Sequence, residues 1–241
     1  MRAFHDDIAM KETIRRRLDS DLGHHAGDGG AMAWHHDRGR LSDALLPAEH
    51  PQDGAASIGI PDTVLALLDH FGSRAYAGFV PREDLARRFV DALRPGADLT
   101  GLPDALIERM VAALRNGPAE RQEPPDHVRE LAALIATRDG SPQRITAILD
   151  QWLHARSREA MLAVGWSEEQ ETRAQETLNR LWDETESQRR AGQHPSYPDL
   201  FARTDPVMAA GYRRGLEALN QSYAADTVLL ADWFIALVRA A

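Results

Sequence analysis

The stretch ADTVLLADWFIALVRAA, residues 225–241, decides the fold class. Val228, Leu229, Leu230, Trp233, Phe234, Ile235, Leu237 and Val238 fall on nearly every side of a helix. Asp232 and Arg239, its only charges after Asp226, lie seven residues apart on one narrow stripe. Leaving that much apolar surface in water costs about 25 cal/mol per Å². The segment therefore reads as a buried closing helix that other elements wrap. It falls short of the roughly 18 unbroken apolar residues that a bilayer-spanning helix needs.

The segments before it carry the same period. Asp205-Pro206 begins a helix with Met208, Tyr212, Leu216 and Leu219 on its face, leading into the closing one. Ser167-Glu168-Glu169-Gln170 has capping-box spacing and opens a long helix with Ala174, Leu178, Leu181, Trp182 and Thr185 on one side. Glu169 with Arg173, Glu176 with Arg180 and Glu186 with Arg190 are i,i+4 pairs on its wet faces, and Gly192 to Pro198 breaks it. Ser141-Pro142 opens a helix burying Ile145, Ile148, Leu149, Trp152 and Leu153, and Asp126 caps one burying Val128, Leu131, Leu134 and Ile135. Further helices are expected from Pro103 to Leu114, from Pro81 to Leu93, from Pro61 to Phe71 and from Ile8 to Leu22. No alternating segment of strand length occurs. The expectation is an all-α protein of two packed helical subdomains with no significant β-sheet. The first spans 1–117 and carries a long histidine-rich loop over 23–59; the second is a bundle over 126–241. Proline-rich 118–125 is the candidate boundary.

Composition excludes several functions. The chain has 241 residues, 43% of them hydrophobic, and a net charge of -9. Lys+Arg number 14 against 19 Asp+Glu in residues 1–120, and 14 against 18 thereafter. Neither half is a basic arm, so nucleic acid is not an expected partner. The absence of cysteine removes disulfides, thiolate metal sites and cysteine nucleophiles. With acids rather than cations at the start, no secretory peptide is read and a cytoplasmic protein without membrane partners is expected. Lys11 is the single lysine against 27 arginines, a skew attributed to nucleotide composition.

Two sets of residues are candidates for chemistry. Histidines crowd the first 50 residues, with His24, His25, His35 and His36 the candidate ligands for a divalent metal and aspartates interleaved. Their spacing matches no metalloenzyme motif. Asp6 or Asp7 in Phe4-His5-Asp6-Asp7 reads as the cap of the first helix. His127 and Glu130 have the i,i+3 spacing of di-iron bundles, but the remaining ligands of such a site are missing. Phosphate loops and nucleophile elbows are absent, and no catalytic residue is assigned. The second set is aromatic: Trp152, Trp166, Trp182, Tyr212 and Trp233 can line an apolar cleft in the second half. Trp166, between Gly165 and a helix cap, stands outside the apolar stripes.

Two resemblances accompany these readings. His5-Asp6-Asp7, Trp34, Gly59-Ile60-Pro61 and Gly96-Ala97-Asp98-Leu99 resemble an uncharacterised bacterial family over residues 4–115. The cysteines of that family's loop are missing here, and the resemblance implies no activity. Gly165-Trp166-Ser167-Glu168-Glu169, the Trp182 helix, Ala191-Gly192-Gln193-His194-Pro195 and the terminal helix resemble TipA-type drug-recognition domains over residues 153–239. That resemblance implies an all-helical module enclosing a peptide antibiotic.

The functional expectation is a non-catalytic binding protein. Its C-terminal half would hold an apolar small molecule or peptide against the five aromatic residues. A metal-dependent enzyme using the N-terminal histidines and aspartates, and a protein-protein module of immunity or antitoxin kind, are the alternatives.

Overall fold

The computed structural model describes residues 2–25, 41–45, 54–72, 82–115, 126–136 and 141–241. Their regular structure is helical, with no β-strand among the described residues and one isolated antiparallel bridge, Arg2 to Asp98. The helices are α1 (Ile8–His25), α2 (Gly54–Ile58), α3 (Asp62–Phe71), α4 (Arg82–Ala92), α5 (Leu102–Arg115), α6 (Asp126–Ala136), α7 (Pro142–Ala163), α8 (Glu168–Glu184), α9 (Glu186–Arg190), α10 (Tyr197–Thr204) and α11 (Pro206–Ala240). Short 3₁₀ turns cover Ala3–Asp6 and Leu41–Ala44. None of the described helices is long and apolar enough to cross a membrane.

Local chemistry sets most of these boundaries. Asp7, extended at φ -103°, accepts a hydrogen bond from the Ala9 amide at 2.7 Å and starts α1, as its position in the sequence suggested. The capping box of α8 forms in full: the Gln170 amide donates to Ser167 Oγ at 3.2 Å, and the Ser167 amide donates to Gln170 Oε1 at 2.8 Å. Two expectations need correction. The long helix after Ser167 is interrupted at Thr185, with the short α9 following it. The Thr185 hydroxyl bonds back to the Leu181 carbonyl at 2.8 Å and also meets Tyr197 Oη at 2.9 Å, a competition with the backbone that ends a helix. Conversely, the segment from Asp205-Pro206 does not merely lead into the closing helix; the two are one helix of 35 residues.

The chain forms two compact units, residues 1–152 with 226–241, and residues 153–225. The segment 118–125, expected as a boundary, lies outside the described residues, while α6 and the start of α7 cluster with the first unit. In that unit Phe234 of α11 stacks on Phe89 (centroids 5.7 Å, 7° between planes) and tilts against Phe71 at 5.6 Å. All three rings are fully buried. Truncating such a ring to alanine costs roughly 3 to 5 kcal/mol, so each of the three contributes substantially to the unit. The closing helix is less completely wrapped than its composition implied. Leu230, Ala231, Phe234, Ile235 and Val238 are buried, but Val228 and Leu229 remain 39% and 37% exposed. The Arg88 guanidinium meets the Asp232 carboxylate on its outer stripe.

The second unit packs around Met161, Trp166, Ala174, Leu181, Phe201 and Ala209. Leu178, Tyr197, Leu200, Met208, Tyr212 and Leu219 close over that cluster.

Candidate ligand-binding surface

The five aromatic residues singled out in the sequence divide between the two units. Trp152 and Trp233 belong to the first and meet edge-on at 6.1 Å. Trp152 is fully buried, and its indole N–H donates to the Met110 carbonyl at 3.1 Å. A tryptophan with its apolar area buried and its one donor satisfied is core material.

Trp166, Trp182 and Tyr212 belong to the second unit. Trp166 is 3% exposed and lies against Gly211 and Gly215 of α11. A Cβ at either glycine would stand 2.8 or 2.9 Å from its ring, so the two glycines form the shelf that admits the indole. Tyr212 meets Trp166 edge-on at 5.8 Å, and Phe201 meets Tyr212 in the same way at 5.8 Å. Trp166 Nε1 is buried without an acceptor among the described residues, and so is the Ser157 hydroxyl. An unmet buried donor costs about 1 to 3 kcal/mol.

Trp182 is different, with half of its surface exposed. Its ring stacks on Tyr197 (centroids 5.2 Å, 28° between planes), and the Arg189 guanidinium carbon lies 3.6 Å from the ring centroid. Arg189 also donates to the Trp182 carbonyl at 2.8 Å, and Thr185 anchors Tyr197 through its hydroxyl. The ring is thus held in a fixed pose while part of its surface faces water. Tyr197 also packs on the apolar cluster, which connects the exposed indole to the core of its unit. Sequence reading missed Tyr197, Arg189 and Phe201. Tyr197 follows a glycine- and proline-rich break, and only its place at the start of α10, ahead of Phe201, hinted at packing.

A depression of about 490 Å³ in the same unit is lined by Arg158, Glu168, Glu171, Thr172, Gln175, Glu176 and Asn179. It contains none of the aromatic residues, so it is not the apolar cleft expected from the sequence. It shares a helix face with the exposed indole, however. Glu168, Glu171, Gln175, Asn179 and Trp182 follow one another at intervals of three and four residues along α8. Arg158 pairs with Glu171 inside the depression and lies 3.8 Å from Glu168. Three glutamates against one arginine leave this surface acidic.

For the metal reading, His35 and His36 lie outside the described residues, as do the side chains of His24, His25, His127 and Glu130. Among the described residues no three His, Asp or Glu side chains are grouped to hold a metal ion. Of the N-terminal set, His5 is engaged with the Ser57 carbonyl at 3.2 Å. No protein-family model matches the chain, and neither does any curated protein or solved structure.

Proposed function

We propose that this protein is a non-catalytic binding protein whose second unit, residues 153–225, takes an apolar small molecule or a peptide with an apolar end. The observation that carries this reading is Trp182: half exposed, stacked on Tyr197 and held by Arg189. The half of the indole left in water adds nothing to folding, whereas a pre-set aromatic surface lowers the ordering cost of binding. The binding set is therefore narrower than the five aromatic residues. Trp182 and Tyr197 form the contact surface, Trp166 and Tyr212 the wall behind it, and Trp152 and Trp233 serve the core of the first unit. The acidic depression on the same face of α8 favours a ligand with a cationic group beyond its apolar end.

The test uses acetyl-Leu-Phe-Lys-amide and its uncharged counterpart acetyl-Leu-Phe-Gln-amide, followed by tryptophan fluorescence. Saturable quenching or a shift that is lost in Trp182→Ala and kept in Trp233→Phe supports the reading. A spectrum that responds to neither peptide, or equally in Trp182→Ala, overturns it.

A further inference from the structure

The sharpest departure from ordinary backbone geometry lies in the first unit, at Phe4, His5 and Asp6. These are three successive non-glycine residues with φ of 52°, 49° and 64°. In that left-handed region the Cβ of an L-residue crowds its own carbonyl, and runs of such residues persist only where their surroundings over-determine them. The surroundings here are specific. The Ala3 amide donates to the Ala97 carbonyl at 3.0 Å, and the Gly96 amide donates to the Ala3 carbonyl at 2.8 Å, so residue 3 pairs with 96–97 as a strand would. The His5 amide closes on the Arg2 carbonyl at 3.0 Å, and the Asp7 amide closes on that of Phe4 at 2.7 Å. Ala3 and Phe4 are fully buried.

Two glycines make room for this arrangement. A Cβ at Gly59 would lie 2.0 Å from the Arg2 carbonyl oxygen, and one at Gly96 would lie 2.6 Å from the Asp6 carboxylate. His5-Asp6-Asp7, Gly59 and Gly96-Ala97-Asp98, far apart in the sequence, therefore meet at one place.

We propose that residues 2–7 are a displaceable strap, an internal occupant of a site for an extended peptide segment with an aromatic side chain. Opening releases the left-handed cost of three residues at once; against it stand two hydrogen bonds to residues 96–97, the His5 contact with the Ser57 carbonyl and the burial of Phe4. The hinge is Asp7, which is extended and keeps its cap on α1 through the Ala9 amide. The Phe71, Phe89 and Phe234 rings hold one another, and the strap opens as a local unit rather than with global unfolding. What it uncovers is a backbone donor at Gly96 and an acceptor at Ala97, beside the space that Phe4 fills. A donor, an acceptor and a side-chain pocket together recognise an added strand.

Amide hydrogen exchange on the ¹⁵N-labelled full chain tests the opening. The amides of Ala3, His5, Asp7 and Gly96 should exchange together, at least tenfold faster than those of Phe89 and Ile107. Asp6→Gly, which tolerates the left-handed region, should slow that shared exchange several-fold. Exchange of the strap in step with the core, or unchanged by Asp6→Gly, overturns the proposal. The site itself is tested with acetyl-Arg-Ala-Phe-His-amide at millimolar concentration. The Gly96 and Ala97 resonances should shift saturably, and at lower peptide concentration in Phe4→Leu, whose own strap fits less well. Absence of a shift in both proteins overturns the site.

Discussion

The ammonium of Lys11 lies 2.6 Å from the Leu93 carbonyl oxygen and 3.3 Å from that of Asp91, at the C-terminal end of α4. A helix leaves its last carbonyls without intrahelical partners and gathers partial negative charge there, which a flexible point cation satisfies. The chain's one lysine thus has a defined structural task, whatever the origin of the arginine excess around it. Lys11→Met keeps the aliphatic stem and removes the charge. It should lower stability by about 1 kcal/mol, since the pair of carbonyls is only partly buried. Urea denaturation measures the difference, and a midpoint equal to that of the parent would show that water serves those carbonyls as well.

Gly59 and Gly165 share the left-handed region, with φ of 66° and 79°, but not their surroundings. A Cβ at Gly59 meets the Arg2 carbonyl, while one at Gly165 meets nothing within 4 Å. Gly165→Ala should cost about 1 kcal/mol, the backbone penalty alone. Gly59→Ala should cost roughly 2 kcal/mol or more, because the backbone of the strap has to shift as well. Equal losses in denaturant titrations would mean that the strap is not seated against Gly59.

Gly215 carries the Trp166 side chain, with the indole Cγ and Cδ1 and the methylene Cβ of Trp166 at 2.9 to 3.2 Å from where a glycine-borne Cβ would be. An alanine here gains helix propensity of about 1 kcal/mol but displaces the indole. The displacement should win, giving a net loss and a red-shifted tryptophan emission as the ring leaves its shelf. A stabilised Gly215→Ala protein with unchanged emission would contradict that packing.

Asp98 accepts hydrogen bonds from the Thr100 hydroxyl at 2.6 Å and from the Thr100 amide at 3.0 Å. These bonds, the hydroxyl's first, hold its carboxyl below the usual aspartate value. A depressed carboxylate stabilises the fold above its unfolded-state pKa, and that contribution fades as the pH falls through the folded-state value. The melting temperature of Asp98→Asn should therefore fall short of the parent's at pH 7, and the gap should close in the acid range. A gap independent of pH would assign the effect to shape rather than charge.

Much of this structure was written in side-chain spacing. The apolar closing segment that holds Phe234, the Ser167–Gln170 box and Asp7 as a cap are all local signals, and local signals survive folding. Gly211 and Gly215 have low helix propensity, yet α11 runs through them, because they receive Trp166 and packing outweighs their propensity cost. The break at Thr185 was hidden for the opposite reason: it depends on Tyr197, twelve residues away. Of the aromatic residues at the candidate surface, Trp166, Trp182 and Tyr212 stood out by type, whereas Tyr197, in a short helix after a glycine- and proline-rich break, did not. The partition of the aromatic residues between the units was not legible, since nothing in the spacing of Trp152 and Trp166 states which cluster each one joins. The strap was the least legible element, because three left-handed residues contradict their own preferences and are held by contacts with residues 57–59 and 96–98.

The first unit is discontinuous in the chain: residues 226–241 supply Phe234 to rings contributed by Phe71 and Phe89. During synthesis, residues 153–225 leave the ribosome before that ring does. The half that starts earlier must wait with its aromatic centre unfilled while the later one can already fold. Nascent chains stalled before residue 234 should therefore expose a greasy hollow and be the form that chaperones hold.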